Sequence, residues 1–268
     1  MIHILMPAYN EEEGLEKLLG RIQLAMRHLK EDYHVYIVND GSVDRTREVV
    51  ECFQELIPIT LHNFERNQGV TMVFRKGFEL VLDKASDDEM IVTLDSDNTQ
   101  TPFVILDFYK KFHEGSDIVI ASRFARGAAV VGVPWFRNIL SNGVAFLLQT
   151  LFPIQGVRDY STFYRAYRAG LVRKGREKYG EELLAGDGFS SMAGFLLKLC
   201  FLDGIKVKEV PIQLRYDLKE GGSNIRIFRT IKGYLKMIRF FCRIQNQSVP
   251  QKILSVLAGR CKVAARQS

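Results

Sequence analysis

Short apolar segments alternate with segments of helical periodicity through the first 121 residues, and this alternation restricts the possible folds more than any other feature. Apolar runs typical of buried strands occupy residues 2–6, 35–38, 59–62, 90–94 and 117–121. Leucine, isoleucine and methionine recur at helical spacing between the first two runs, and we expect further helices over 44–55, 69–84 and 102–113. This order predicts an α/β fold, with a mostly parallel sheet and helices on both of its faces.

Polar segments follow three of the predicted strands. They are Pro7-Ala8-Tyr9-Asn10-Glu11, Asn39-Asp40-Gly41-Ser42 and Asp95-Ser96-Asp97. Parallel strands end at one edge of a sheet, where such folds bind their ligands, so we expect the three segments to meet there. The sequence therefore predicts one site built from several loops.

The third polar segment indicates a particular chemistry. Asp95 and Asp97 are one residue apart, and their carboxylates repel each other unless a positive group lies between them. Mg²⁺ or Mn²⁺ is the usual solution, and phosphate oxygens commonly complete its ligands. The pair thus predicts a nucleotide diphosphate as ligand, and the alternative is an ordinary turn or helix cap.

Length and composition agree with a globular protein in a reducing compartment. The 268 residues suffice for a large core, and 47% of them are apolar. The four cysteines form no C-x-x-C pair, which argues against disulfides and a zinc site. A signal peptide is not expected, because the first residues pass directly into a strand-like run. Polar residues interrupt a helix expected over 135–152, which argues against a membrane span.

Positive charge is concentrated near the C-terminus. Residues 205–268 carry 14 Lys/Arg and 3 Asp/Glu, whereas the net charge of the whole chain is +6. On a helix, one face would hold Arg226, Arg229, Lys232, Lys236, Arg239 and Arg243, and the opposite face Ile227, Phe228, Ile231, Tyr234, Leu235, Ile238 and Phe241. Such a helix suits an anionic membrane surface, and the alternative is that its apolar face packs on the protein. Nucleic-acid binding is not expected, because no recognised motif accompanies the charge.

Eight segments occur in one order over residues 1–225. They are Pro7-Ala8-Tyr9-Asn10-Glu11, Asn39-Asp40-Gly41-Ser42-Val43-Asp44-Arg45-Thr46, Asn67-Gln68-Gly69, Asp95-Ser96-Asp97-Asn98-Thr99-Gln100-Thr101-Pro102, Ala121-Ser122-Arg123-Phe124, Asp159-Tyr160-Ser161-Thr162-Phe163-Tyr164-Arg165, Glu209-Val210-Pro211-Ile212 and Gly221-Gly222-Ser223. Together they resemble the family 2 glycosyltransferases of the GT-A fold, and within them the dolichol-phosphate mannose synthases and bacterial polyprenyl-phosphate glycosyltransferases. The resemblance implies a GT-A catalytic domain over residues 1–222 and a basic amphipathic helical extension over 223–268.

The resemblance implies that the nucleotide of a sugar donor lies on the first two polar segments. The residues implied to bind it are Pro7, Tyr9, Glu11, Asn39 and Asp40. A tyrosine ring offers a stacking face, and the carboxylates can accept hydrogen bonds from ribose hydroxyls or from a ring N–H of the base. The alternative is purely local: Asn10 caps the first helix, and a turn at Asp40 is followed by a cap at Ser42 or Asp44.

The resemblance also implies which residues meet the cation and the phosphates. Asp97 would bind the metal most directly, with Asp95 beside it and Thr99 completing the coordination, and the metal would neutralise the leaving diphosphate. Guanidinium forks suit phosphate oxygens. Arg123, just past a predicted strand, and Arg126, in the loop that follows, could therefore pair with phosphate, and the resemblance implies that Arg215 and Ser223 approach the phosphates of donor and acceptor. Alternatively the arginines are solvated loop charges, with Arg215 paired to Asp217.

Asp187 distinguishes two classes of acceptor. A hydroxyl acceptor needs a carboxylate base to remove its proton, whereas a lipid phosphate is already ionised. Asp187 lies near the position of that base in relatives with hydroxyl acceptors. The alternative is an N-cap for a helix that begins near Phe189.

These features predict an inverting, metal-dependent glycosyltransferase that moves a hexose from GDP-mannose or UDP-glucose to a polyprenyl phosphate. Its expected location is peripheral, at the cytoplasmic face of a membrane, and a homo-oligomer is left open. One alternative is transfer to a hydroxyl acceptor with Asp187 as the base. Another is a nucleotide-sugar-binding regulator without turnover, against which the intact pair Asp95 and Asp97 argues.

Overall fold

The computed structural model describes residues 1–133, 135–186, 188–218 and 227–244, with side chains described throughout except at 135–140, 189, 227–230 and 244. The strands are β1 (Ile2–Ala8), β2 (Tyr33–Asn39), β3 (Ile59–Asn63), β4 (Met90–Thr93), β5 (Ile118–Ser122), β6 (Ala129–Val131), β7 (Arg165–Arg168), β8 (Val207–Pro211) and β9 (Gln213–Arg215). The helices are α1 (Glu12–Leu29), α2 (Thr46–Phe53), α3 (Val70–Leu82), α4 (Val104–His113), α5 (Trp135–Leu151), α6 (Ala169–Tyr179), α7 (Phe189–Cys200) and α8 (Ile227–Ile244). The strands and helices expected over the first 121 residues are confirmed, and the elements given bounds in the sequence analysis lie within two residues of them.

Seven strands form one sheet in the order β3-β2-β1-β4-β7-β5-β8. All neighbouring pairs are parallel except those made by β7, which runs antiparallel between β4 and β5. This mostly parallel sheet confirms the predicted fold class. Strand β7 was not predicted, because its sequence Arg-Ala-Tyr-Arg lacks the apolar run that marks its neighbours.

The two faces of the sheet bury separate apolar cores. Along β1, Ile4 and Met6 face one core and Leu5 the other, as strand alternation requires. Helices α1 and α4 cover the first face, and α3, α5, α6, α7 and α8 contribute to the second. Because both faces are covered, ligands can reach the sheet only at its edges.

Residues 207–215 form two short strands, β8 and β9, and not one continuous strand. β8 ends at Pro211, which has no N–H to donate, and the N–H of Ile212 donates to the carbonyl of Ser122 at 3.3 Å. The chain then leaves the main sheet, and β9 pairs with β6 in a small parallel sheet. This small sheet lies against the loop after β4, where Gln100 and Leu214 form an isolated bridge.

Helix α8 packs on the domain through one part of its expected apolar face. Tyr234, Ile238 and Phe241 are buried, and the ring of Phe241 lies 5.7 Å from that of Phe152. Ile231 and Leu235, expected on the same face, are 42% and 50% exposed. In the described part of the chain, no helix is both long and apolar enough to cross a bilayer.

Candidate functional site

The sheet order places the three polar segments side by side. β1 lies between β2 and β4, so the loops after these strands leave the same edge of the sheet as neighbours. The first two loops are joined directly, because the N–H of Asn10 donates to Ser42 Oγ at 2.9 Å and the N–H of Val43 donates to Asn10 Oδ1 at 2.9 Å. The segments therefore lie together as predicted: the loops after β1 and β2 are hydrogen-bonded to each other, and the loop after β4 leaves the sheet next to them.

Helix α1 is not capped by Asn10, contrary to the local alternative. Its N-cap is Glu11, and Asn10 has a left-handed φ of 54°. Asp44, on the loop after β2, instead accepts from the N–H of Glu12 at 3.2 Å and from the N–H of Thr46 at 3.0 Å. One carboxylate thus serves the first turns of two helices and fixes both loops.

Asp40 holds the segment that precedes α3. Its two carboxylate oxygens accept from the N–H groups of Gln68 and Gly69 at 2.6 and 2.9 Å. Burial raises the pKa of Asp40, and the two hydrogen bonds oppose that rise. An ionised carboxylate has about four lone-pair sites, so both oxygens retain capacity for another donor.

The neighbours of Asp40 differ in accessibility. Asn39 is buried; its Nδ2 donates to Asn63 Oδ1 at 2.9 Å, while its Oδ1 accepts from Ser42. Tyr9 is 36% exposed, and Pro7 and Glu11 are half-buried. The loops after β1 and β2 therefore combine buried, hydrogen-bonded polar side chains with the accessible aromatic ring of Tyr9.

The carboxylates of Asp95 and Asp97 are each held by a residue of their own loop. Gln100 Nε2 donates to Asp95 Oδ2 at 2.7 Å, and Thr99 Oγ1 donates to Asp97 Oδ1 at 2.7 Å. Both aspartates remain half-buried, whereas Thr99 and Gln100 are buried beneath them. These hydrogen bonds fix both carboxylates at the edge of the sheet where the loops after β1, β2 and β4 begin.

The oxygen atoms of Asp95, Asp97 and Thr99 fit a hard divalent cation. Carboxylate and hydroxyl oxygens suit Mg²⁺ and Mn²⁺, which usually retain water or phosphate oxygens as further ligands. Within the described ranges, no group of three or more His, Cys, Asp or Glu side chains could hold a metal.

Arg215 touches the same loop through its backbone. Its N–H donates to the carbonyl of Thr99 at 2.9 Å, so β9 is tied directly to the aspartate loop. Its guanidinium is exposed and forms a bidentate pair with Asp217, with Nη2 2.7 Å from Oδ2. The geometry thus shows the pairing that the alternative interpretation anticipated, at a position next to the site. Ser223 and Asp187 lie outside the described residues.

Arg123, at the end of β5, belongs to a buried ion pair. Its Nε and Nη2 donate to the two oxygens of Asp159 at 2.8 Å each, its Nη1 donates to Ser141 Oγ at 2.6 Å, and Nη2 also donates to Ser161 Oγ. Burial works to raise the pKa of Asp159, but hydrogen bonds and charge from Arg123 hold it below its usual value. The same pair raises the pKa of Arg123 against its own burial. Arg126, three residues later, is exposed.

Sequence reasoning gave no role to Asp159, Ser141 or Ser161. Asp159 opens one of the eight ordered segments, and that was the available signal. Its partner is 36 residues away in the chain, and Ser141 belongs to a mostly apolar helix. Pairing of this kind follows from the tertiary fold, so spacing alone does not reveal it.

Comparison with known proteins agrees with this geometry. Residues 3–176 match the family model described as glycosyl transferase family 2. The dolichol-phosphate mannosyltransferase of Pyrococcus furiosus is 28% identical over 238 residues, which are 88% of this chain and 62% of that protein. The polyprenol monophosphomannose synthase of Mycolicibacterium smegmatis is 28% identical over 229 residues, or 83% of this chain and 82% of that one. The chain thus spans less than two thirds of the Pyrococcus relative.

Solved structures support the fold. The glucosyl-3-phosphoglycerate synthase of Mycobacterium tuberculosis, crystallised with Mn²⁺, UDP-glucose and phosphoglyceric acid, superposes with a TM-score of 0.62. The match covers 90% of this chain and 79% of that one at 16% identity, which bears on the fold alone. The family model, by contrast, matches more than half of the chain, and the resemblance predicted from the eight segments is confirmed. This protein is a member of glycosyl transferase family 2.

Proposed function

We propose that this protein is an inverting, metal-dependent glycosyltransferase that moves a hexose from a nucleotide sugar to a polyprenyl phosphate. The observation that carries the proposal is the position of Asp95 and Asp97. They follow β4, the neighbour of β1 in the sheet, and lie beside the hydrogen-bonded loops after β1 and β2. The names of the Pyrococcus and Mycolicibacterium relatives support a polyprenyl acceptor.

The donor is GDP-mannose or UDP-glucose. Its base lies over Tyr9 and Pro7, a ring N–H donates to Asp40, and Glu11 accepts from the ribose. Asn39 and the backbone contacts of Asp40 keep this surface rigid before the nucleotide arrives. Mannose is favoured by the names of the two relatives, and UDP-glucose by the ligand of the structural neighbour.

Asp97, Asp95 and Thr99 would hold a Mg²⁺ or Mn²⁺ ion. When bound, such an ion supplies charge neutralisation for the departing nucleoside diphosphate. The role of the protein is to fix the carboxylates: Gln100 and Thr99 orient them through the short hydrogen bonds described above. Mn²⁺ and Mg²⁺ in structures of the mycobacterial neighbour support this choice of ion.

The acceptor phosphate approaches from the side of Arg123. A phosphate oxygen attacks the anomeric carbon on the face opposite the leaving diphosphate, the glycosidic C–O bond to the diphosphate breaks, and the configuration inverts. The nucleophile is already ionised, so no side chain has to take a proton from it. Within the described contacts Arg123 uses four of its five N–H donors, so it offers one oriented donor.

The exposed face of α8 is the proposed contact with the membrane. Lys232, Lys236 and Arg239 are exposed there together with Ile231 and Leu235. Cationic side chains with large apolar side chains between them suit the surface of an anionic leaflet. We place this surface at the cytoplasmic face of the membrane, where the polyprenyl chain of the acceptor is anchored.

A donor and acceptor screen tests the proposal. Purified protein with Mg²⁺ or Mn²⁺ is given each nucleotide sugar with a polyprenyl phosphate, a polyprenol or a soluble hydroxyl acceptor, and release of nucleoside diphosphate is followed. We expect release that depends on the polyprenyl phosphate. Release only with hydroxyl acceptors would favour the alternative with Asp187 as the base, and nucleotide binding without any release would indicate a regulator.

A further inference from the structure

Helix α1 contacts the aspartate loop at two positions on one of its faces. Gly14 and Arg21 are seven residues apart, so they lie on the same side of the helix. A Cβ added at Gly14 would lie 3.4 Å from the carbonyl carbon of Asp97, which shows how closely the helix approaches the loop backbone. Two turns further along, Arg21 Nη1 donates to Asn98 Oδ1 at 2.7 Å.

Asn98 determines the direction of the loop between Asp97 and Thr99. It is buried and has a left-handed φ of 57°, a conformation in which asparagine is enriched among non-glycine residues. The chain bends at this residue, so its conformation influences where both neighbouring side chains point.

The second half of the loop is held by other groups. The carbonyl of Thr99 accepts from the N–H of Arg215, and the carbonyl of Thr101 accepts from the hydroxyl of Tyr164 at 3.0 Å. The contact from Arg21 thus supports the loop at Asn98, between Asp97 and Thr99, from a distant part of the chain.

Arg21 is partly buried, and its partner Asn98 is a neutral amide. Burial lowers the pKa of Arg21, so the folded protein keeps a guanidinium in an environment that disfavours the charge. The charge-assisted hydrogen bond from Arg21 to Asn98 offsets this desolvation.

We propose that Arg21 is a positioning residue for the divalent cation: by binding Asn98 it fixes the turn that aims Asp97 and Thr99 at the metal. This inference rests on the proposed function, because it needs a cation at Asp97. It adds a residue on α1, outside the three polar segments, to the machinery that supports the metal.

Binding of Mn²⁺, measured by electron paramagnetic resonance with UDP or GDP present, tests the inference directly. The variants are Arg21→Met, Asn98→Gly and the double variant. Glycine adopts the left-handed conformation freely, so Asn98→Gly removes the amide and leaves the turn accessible. Arg27→Met, an exposed arginine on the same helix, is the matched control.

We expect each single variant to bind Mn²⁺ about 10-fold more weakly, as is typical when an outer-shell partner of a metal ligand is lost. The double variant should lose no more than either single variant, because both remove one contact. Arg27→Met should bind as the wild type does. In turnover assays the Mn²⁺ concentration for half-maximal rate should rise, while the rate at saturating Mn²⁺ changes less.

The outcomes separate the two claims. A wild type that binds no Mn²⁺ with either nucleotide contradicts the metal in the proposed function, and the role of Arg21 with it. If the wild type binds Mn²⁺ and Arg21→Met and Asn98→Gly bind it equally well, the positioning role is wrong even when their melting temperatures fall. Additive losses in the double variant would also overturn it, since the residues would then act separately.

Discussion

The two halves of the candidate site are built differently. On the donor side, short loops after neighbouring parallel strands are bonded to one another through backbone groups, as when Asp40 binds Gln68 and Gly69. On the side after β5, one buried ion pair between Arg123 and Asp159 joins segments 36 residues apart. The proposed donor side therefore depends on loop geometry, and the proposed acceptor side on the balance of one positive and one negative charge.

The largest expected effect falls on the donor side. Asp97→Ala should abolish measurable turnover, because the cation loses a principal ligand and the leaving diphosphate its charge partner. The fold should persist, since Asp97 is only half-buried and its loop keeps the contacts of Asp95, Thr99 and Thr101. Turnover and the circular dichroism melting curve are the two measurements. Full activity in this variant, or in wild type with excess chelator, would contradict a metal-dependent donor side.

On the acceptor side, removing one charge should affect stability as well as activity. Asp159→Ala leaves the half-buried guanidinium of Arg123 without its carboxylate partner, and breaking a fully buried pair costs about 3–5 kcal/mol in unfolding free energy, so we expect a loss at or below that range. The double change Arg123→Met with Asp159→Ala should be less destabilised than Asp159→Ala alone, because no unpaired charge remains. Denaturant unfolding measures both. Equal destabilisation of the single and double variants would show that packing, not charge balance, holds this half.

The same pair predicts a pH dependence with a definite sign. The pKa of Asp159 is lower in the folded than in the unfolded chain, so its contribution to stability is complete above its unfolded pKa of about 3.9. That contribution is lost as the pH falls through the folded value. As the pH falls below about 4, the wild type should therefore lose stability more steeply than the double variant Arg123→Met with Asp159→Ala. If the stability of the wild type and of the double variant fell equally steeply with pH, the pH dependence could not be assigned to Asp159.

The contrast between the halves explains what the sequence revealed. Asp95, Asp97 and the strands before them were predictable, because an apolar run followed by carboxylates is a local pattern and parallel strands place such patterns at one edge. The partner of Arg123 was not, because nothing local connects it to Asp159. Strand β7 was missed for a related reason: Arg165 is fully buried through hydrogen bonds to the carbonyls of Met192 and Tyr160, which only the fold supplies.

Helix α8 shows a further limit of periodicity. The helical period separated its basic residues from Tyr234, Ile238 and Phe241, and those three are buried as an apolar face should be. It did not show how wide the contact with the domain is, so Ile231 and Leu235 were grouped with them although they remain exposed. The width of a helix contact depends on the shape of the opposing surface, here provided partly by α7 and Phe152.

Charge reversal on α8 tests whether the acceptor half extends to a membrane. The variant Lys232→Glu, Lys236→Glu, Arg239→Glu should bind anionic vesicles at least about 10²-fold more weakly, since each cation near such a surface contributes about 1 kcal/mol. Turnover on long-chain acceptors should fall more than on short soluble analogues. The matched control reverses three exposed charges on α6, at Lys174, Arg176 and Lys178. Equal vesicle binding by both variants, measured by sedimentation at about 0.15 M salt, would make α8 a packing element only.

A change at Asp187 asks whether the proposed acceptor side contains a general base, and we expect it to alter turnover less than any change above. With a polyprenyl phosphate as the nucleophile, no proton has to be removed before attack on the anomeric carbon, so Asp187→Asn should keep most of the wild-type rate. The N-cap of α7 is Gly188 and not Asp187, contrary to the local alternative, and asparagine keeps the volume of aspartate, so stability should also be retained. Turnover with polyprenyl phosphate, compared between pH 6 and 9, is the measurement, and a similar pH profile in both proteins is expected. A general base contributes about 10²–10⁴-fold, so a loss of that size with an unchanged melting temperature would show that Asp187 acts as a base and would contradict a nucleophile that needs no proton removed.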